Sequence, residues 1–430
     1  MTSTAAAATD AGPQPRRSTT LVGIGMGHAL EWYDWGIYAV FVPYFASQFF
    51  AGGSQVTDVL ASLAVFAVGF AARPLGGLFF GRLADRVGRR TALSATVSCI
   101  AIASFIIGIC PTYAQIGIFA PLVLVAARIL QGLSCGGELP SAQTYLAEYA
   151  PTAKRGQWSS LIYIASVFGN TIGVGLGFLL ALMLSDDQLH AFGWRVPFIF
   201  GGVFGLVALY IRRQLTETAT FEAASQAPSE QISTWQSIVV HRGKAMQVIG
   251  LTAGLTVAYY AWVIAAPAYA ITTFGIDASA ALAATVVASL FFMALMPAWG
   301  RLSDRIGRRP VLLISTLGAA AALVPAQALL GDSAIRLGFA LALEMFFIAA
   351  GVSILPAVYA EMFPTRIRTT GLAIPYSIAV ALFGGTAPYL QTWLSDISKA
   401  GVFTGYVAVL LLVSAAVASR MPETRAQGLD

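Results

Sequence analysis

The chain has 430 residues, of which 57% are hydrophobic and 10% charged, with a formal net charge of +5. A soluble domain carries about 25% charged residues, so this composition excludes a water-facing globule and fits a bilayer, whose core of roughly 30 Å takes about 20 apolar residues per helix. The three cysteines lie in apolar runs and no His stands near a second His or Cys at ligand spacing, so no disulfide framework, metal site or cofactor is expected.

In chain order, residues 1–18 form a polar, Ala/Thr-rich tail ending near Arg16 and Arg17, expected to be disordered. The apolar run from Thr19 contains Glu31 and Asp34 and outlasts a signal-peptide core, so it reads as a retained first span. Apolar segments near 19–49, 57–80, 91–110, 118–147, 157–184 and 193–211 make a first set of six. A polar stretch, 212–244, reads as a linker. A second set of six follows near 245–272, 278–299, 310–330, 334–358, 369–394 and 401–420, with a short tail at 421–430. The expectation is an all-α membrane protein of twelve transmembrane helices.

Orientation follows from the cations. Of 25 Lys and Arg, 20 fall in the tails, the linker and alternate loops on one side, three (Arg195, Arg336, Lys399) on the other, and Arg73 and Arg128 within spans. Basic loops stay cytoplasmic, so both termini are expected inside, in the cytoplasmic membrane. The basic balance is therefore a topology signal, not a sign of nucleic-acid binding.

The loop Gly81-Arg-Leu-Ala-Asp85-Arg-Val-Gly88-Arg89-Arg90 returns 219 positions later as Gly300-Arg-Leu-Ser-Asp304-Arg-Ile-Gly307-Arg308-Arg309. Glu148 and Arg155 are matched by Glu361 and Arg368, each pair with six residues between, and Glu217-Thr218 by Glu423-Thr424. Matching loops on one face make the halves parallel repeats about an axis along the membrane normal. These loops resemble those of the major facilitator superfamily, over essentially the whole chain. Glu31-Trp-Tyr-Asp34, Arg73-Pro-Leu-Gly-Gly77, the run Gln131 to Glu138, Trp194-Arg195-Val-Pro-Phe198 and Ala360-Glu-Met-Phe-Pro-Thr-Arg366 further resemble its metabolite:proton symporter family. That resemblance implies import of a small organic acid or zwitterion with protons by alternating access, the chain working as a monomer. It also implies that Asp85 and Asp304, with Arg89 and Arg308, meet a neighbouring helix end when the cytoplasmic side closes. Glu148, Arg155, Glu361 and Arg368 are read as charges that form and break in the same movement. A topology-fixing role is the plainer alternative for all eight.

Ionisable groups inside spans are costly and mark candidate sites. His28, Glu31, Asp34 or Trp35, and Tyr38 recur at steps of three to four on the first span. Glu31 lies roughly 18 Å deep at 1.5 Å per residue. A carboxylate is costly there when charged, so Glu31 and Asp34, with Glu138, are the candidates for carrying a proton; the alternative is a structural ion pair. Arg128 suits an anionic cargo because a guanidinium grips a carboxylate bidentately, or else it pairs permanently with Glu31 or Asp34. Gln131, one turn on, shares its face. Arg73, near a span end, and Arg195 are weaker cargo candidates. The second half offers Tyr259, Tyr260 and a lone interior acid, Glu344, at the repeat position of Gln131. A drug or metabolite efflux antiporter is the competing reading. No nucleophile with a base and no phosphate loop appears, so an enzyme is not expected.

Overall fold

Hydrocarbon offers a backbone no hydrogen-bond partner, so a chain of this composition must satisfy its amides internally, which in these apolar runs means helices. The computed structural model describes residues 17–51, 53–87, 89–136, 143, 146, 147, 150–213, 241–363 and 368–425, and among them there is no strand. The first half has α1 (Arg17–Phe49), α2 (Gln55–Val87), α3 (Arg89–Ile109), α4 (Phe119–Cys135), α5 (Arg155–Met183) and α6 (Arg195–Arg213). The second has α7 (Arg242–Tyr259) and α8 (Ala266–Phe274) as one span bent at a π turn, Tyr260–Ile264. Then come α9 (Ala278–Ile306), α10 (Arg308–Leu329) and α11 (Ala334–Met362). A second bent span joins α12 (Arg368–Ala379) and α13 (Ala387–Asp396) through the π turn Val380–Gly384, before α14 (Ala400–Arg420).

Among the described residues, eight segments are long and apolar enough to cross a membrane, and α6 with the short helix before it makes a ninth. Ser94–Ile109 and Phe119–Cys135 are shorter apolar helices, and α1 carries its acids inside the bundle, so the twelve-span arrangement accounts for every long segment. Of the expected linker, 212–244, residues 214–240 lie outside the described residues, as do 1–16 of the expected tail, and its two ends belong to α6 and α7.

The packing order repeats between the halves. In the first, α1 packs on α5, α2 on α4 and α3 on α6; in the second, α7 packs on α12, α9 on α11 and α10 on α14. The halves meet where α5 lies along α9 and α11, and where α2 lies along α12 and α13. Close approach is bought with glycine at the α2/α4 contact: a Cβ on Gly132 or Gly136 would run into the carbonyl oxygens of Gly69 and Arg73. These two glycines of the Gln131–Glu138 run thus bring Arg73 and Arg128 into one layer.

A polar cluster at the seam between the halves

Helix α1 is buried on all sides from Gly27 to Ala46, so its polar residues look into protein. They divide between two arginines. Asp34 faces Arg128 of α4, whose Nη1 donates to Asp34 Oδ2 at 3.4 Å and to Gln131 Oε1 at 2.6 Å. Gln131 Nε2 donates to the Ser104 hydroxyl at 3.1 Å, and that hydroxyl donates to the other Asp34 oxygen, closing a ring across α1, α3 and α4. The Arg128 guanidinium lies 4.1 Å from both the Trp35 and Tyr38 rings, an arrangement favoured by the negative ring faces. Tyr38 turns its own hydroxyl to Ser62 O at 2.8 Å.

Glu31, three residues earlier, is placed differently. Its Oε1 lies 3.9 Å from Arg73 Nη2 and its Oε2 lies 3.7 Å from His28 Nδ1, yet neither oxygen has a hydrogen-bond partner. His28 Nε2 and the Ser166 hydroxyl of α5 share a 2.7 Å hydrogen bond. Arg73 does not reach for the membrane surface: it is 4% exposed, stacked 4.0 Å from Phe70 and 4.5 Å from Trp35, with Nε and Nη2 unpaired. Trp35 therefore carries a guanidinium contact from each arginine, and its Nε1 donates to Cys135 Sγ at 3.1 Å. Across the seam Trp32 meets Tyr259 at 5.5 Å and Tyr260 at 6.1 Å, ring to ring, and Tyr260 also packs on Phe70 at 5.2 Å. Both tyrosine hydroxyls are buried without partners. The cluster thus offers one carboxylate and one guanidinium that are adjacent but unsaturated, beneath an aromatic wall from the other half.

The expected site residues do not all converge. His28, Glu31, Arg73, Tyr259 and Tyr260 meet at the seam; Asp34, Arg128, Gln131 and Tyr38 form the closed network beside it. Arg195 is elsewhere: its Nη1 donates to Gly108 O at 3.0 Å and Cys110 O at 2.7 Å, tying α6 to the end of α3. Glu344 is buried in α11 with neither oxygen hydrogen-bonded. Glu138 lies outside the described residues.

At the arginine-rich end, the halves are joined by a second cluster. Asp304 accepts hydrogen bonds from Gly156 N at 2.8 Å and Gln157 N at 2.9 Å, capping the N-terminus of α5 from the other half. Arg308 Nη1 donates to Asp304 at 2.8 Å, and Arg308 Nη2 and Arg155 Nη1 donate to Glu361 Oε1 at 3.2 and 3.0 Å. The cross-half partner of Glu361 is thus Arg155, while Arg368 Nε donates to Ala360 O at 2.9 Å. Glu423 and Thr424, matched in the sequence to Glu217 and Thr218 but given no role there, enter this cluster. Glu423 caps α10 at Arg308 N, and Thr424 donates to Glu361 Oε2 at 2.7 Å. The side chains of Asp85 and Arg89, and Glu148, lie outside the described residues. Ser104 was missed, since nothing in an apolar run singles it out, whereas Trp35 was expected on the face of the first span only as the alternative to Asp34.

A family model described as "Sugar (and other) transporter" matches residues 20–230 and 218–430. The alpha-ketoglutarate permease of Escherichia coli (strain K12) is 34% identical over 401 residues, 93% of this chain and 92% of that protein. The proline/betaine transporter of Salmonella typhimurium is 32% identical over 408 residues, 91% of this chain and 81% of that protein. Among solved structures, the D-xylose-proton symporter superposes with a TM-score of 0.76 at 19% identity, covering 96% of this chain and 99% of that one. The inward-open xylose transporter XylE from E. coli gives 0.75 at 17% identity, covering 96% and 98%.

Proposed function

Because the chain belongs to the sugar (and other) transporter family of the major facilitator superfamily, and is a multi-pass membrane transporter and not an enzyme, we propose that it imports a small organic acid or zwitterion with protons. The observation that carries this reading is the loose Glu31/Arg73 pair: 3.9 Å apart, with no hydrogen bond to either carboxylate oxygen, and next to the aromatic seam. A saturated ion pair has nothing left to offer; this one has free donors on Arg73 and a carboxylate able to take a proton. When a proton joins the Glu31/His28 pair, Arg73 loses its counter-charge and a cargo carboxylate takes its place. Asp34 is committed to Arg128 and Ser104, which favours Glu31 over Asp34 as the coupling acid. The names of the relatives, an alpha-ketoglutarate permease and proline/betaine transporters, fit a carboxylate-bearing cargo.

The charge asymmetry of the loops sets the arginine-rich end, both termini and the Asp304/Glu361 cluster in the cytoplasm, so that cluster is the inner gate. All groups named belong to one chain, and a monomer suffices for transport. Replacing Glu31 with Gln keeps the shape and removes the proton site. Counterflow of labelled against unlabelled cargo in proteoliposomes is expected to survive, because it needs no net proton movement, whereas accumulation driven by an inward proton gradient is lost. A Glu31→Gln protein that still concentrates cargo as the parent does would make Glu31 a structural group and pass coupling to Asp34 or Glu138.

A further inference from the structure

The charge inventory of the cluster constrains the cargo. Five ionisable side chains among the described residues make it up: His28, Glu31, Asp34, Arg73 and Arg128, all between 0% and 4% exposed. Arg128 already has a resident carboxylate in Asp34, held in the ring with Gln131 and Ser104, and the two cancel while Asp34 is ionised. Arg73 and Glu31 cancel likewise while Glu31 is ionised and His28 neutral. One added proton on the Glu31/His28 pair leaves the cluster at +1, and this holds whichever member of the pair keeps it. The neighbours of Arg73 that titrate, Cys135, Tyr260 and Tyr376, add no charge in their neutral forms.

The space for that single positive charge is equally restricted. Phe70 and Trp35, 4.2 Å apart ring to ring, crowd one side of the guanidinium, and its Nε and Nη2, which have no hydrogen-bond partner, suit one planar carboxylate. Beyond it stand Trp32, Tyr259 and Tyr260, whose ring faces are negative and attract cations or apolar groups. In the second half the Lys and Arg all sit at span ends or in loops, and the one interior ionisable group is an acid, Glu344. A second carboxylate on the cargo would therefore meet aromatic faces with no cation to pair with, and an unpaired buried charge costs several kcal/mol by the usual order of magnitude.

We propose that the cargo carries a single carboxylate and a neutral or cationic remainder, so that its net charge is −1 or 0, and that dicarboxylates and tricarboxylates are rejected. This rests on the symport reading above and names the substrate class of that site. The test is a binding panel on purified protein, read by thermal shift, because a ligand of the folded state raises the melting temperature. Matched pairs differ by one carboxylate: butyrate against glutarate, 2-oxobutyrate against 2-oxoglutarate, proline against glutamate, with glycine betaine added. At least one single-carboxylate compound is expected to stabilise the protein at a concentration at least tenfold below that needed for its dicarboxylate mate, and Arg73→Gln, combined with Glu31→Gln so that no buried charge is stranded, to abolish the shift while keeping the ligand-free melting temperature within a few degrees. Tighter binding of glutarate, 2-oxoglutarate or glutamate than of their mates overturns the proposal, and so does the absence of any shift with every single-carboxylate compound. The two readings fail separately. Selective binding of proline, betaine or butyrate with no proton-driven accumulation sinks symport and keeps the charge class; proton-driven accumulation of 2-oxoglutarate does the reverse.

Discussion

Asp304 is the most economical place to disturb the proposed inner gate. Its carboxylate is 9% exposed and accepts Gly156 N and Arg308 Nη1 on one oxygen and Gln157 N on the other, the backbone bonds at 2.8 and 2.9 Å. Asp304→Asn keeps one acceptor and turns the second oxygen into a donor facing an N–H. One backbone bond is lost outright, which leaves a buried donor at a cost of about 1–3 kcal/mol. The remaining bonds lose their charge assistance, and the charge no longer faces the α5 N-terminus, a term of about 0.3–1 kcal/mol. With the halves apart, water solvates either side chain, so nearly all of this falls on the closed state. A loss of about 3 kcal/mol corresponds to roughly a 100-fold shift toward the open gate. Ser159 provides the reporter: one turn from Gly156, 1% exposed, it donates to Ser353 O of the other half at 2.8 Å. In a chain with Cys99, Cys110 and Cys135 replaced by Ser, Ser159→Cys should react with a polar maleimide about 100 times faster when Asp304→Asn is added. An unchanged rate would show that the gate does not rest on this cap, and the assignment of Asp304 would be abandoned.

Arg128→Ala should act on stability before affinity, because it strands Asp34 at 1% exposure, a change of the kind that costs about 3–5 kcal/mol. The paired change Asp34→Asn with Arg128→Gln should restore most of the melting temperature, which thermal unfolding of the three proteins would check. Gly300→Val should hold the inner gate open, since a Cβ there would lie 2.6 Å from Gly156 O and 2.8 Å from Gln157 Cα, both backbone atoms that cannot swing aside. The expected signature is a reactive Ser159→Cys, lost uptake and a nearly normal melting temperature; a buried, unreactive thiol would count against the close approach of α5 and α9.

The fold was legible because hydrocarbon imposes its own periodic requirement, and twelve apolar runs with alternating basic loops leave little freedom. Individual partners were less legible. The depth of Glu31 could be counted along a helix, but that Asp34, one turn on, would face another arginine depends on how α1 is rotated between α2 and α4, and no spacing in α1 encodes that. Arg128 drew attention as a lone cation deep in a span, and the structure gives it a resident contact, Asp34, that its own helix could not reveal. Arg73 was discounted for lying near a span end; Gly132 and Gly136 seat α4 against it and Trp35 covers it, so it stays buried. At the gate, spacing matched Glu361 with Arg368 along the chain, whereas Glu361 reaches Arg155, 206 positions away, because the repeat places equivalent helix ends side by side.

The two clusters also differ in what the transport cycle can ask of them. Asp34, Arg128, Gln131 and Ser104 link α1, α3 and α4, all in the first half, so their ring can persist while the halves rock and serve as a fixed floor. The bonds from Asp304 to the α5 terminus and from Arg155 to Glu361 cross between halves and, in the proposed cycle, would break on each turnover. A contact that breaks on each turnover must be nearly balanced against its separated state, or the carrier would stall closed. Buried charges meet that condition, since the desolvation they suffer on pairing offsets much of their attraction, whereas an apolar interface of the same area would not. The conspicuous charge of the gate is therefore consistent with a low net closing energy. In the proposed mechanism, a modest bias from a cargo carboxylate on Arg73 and a proton on the Glu31/His28 pair would then be enough to decide which way the halves lean.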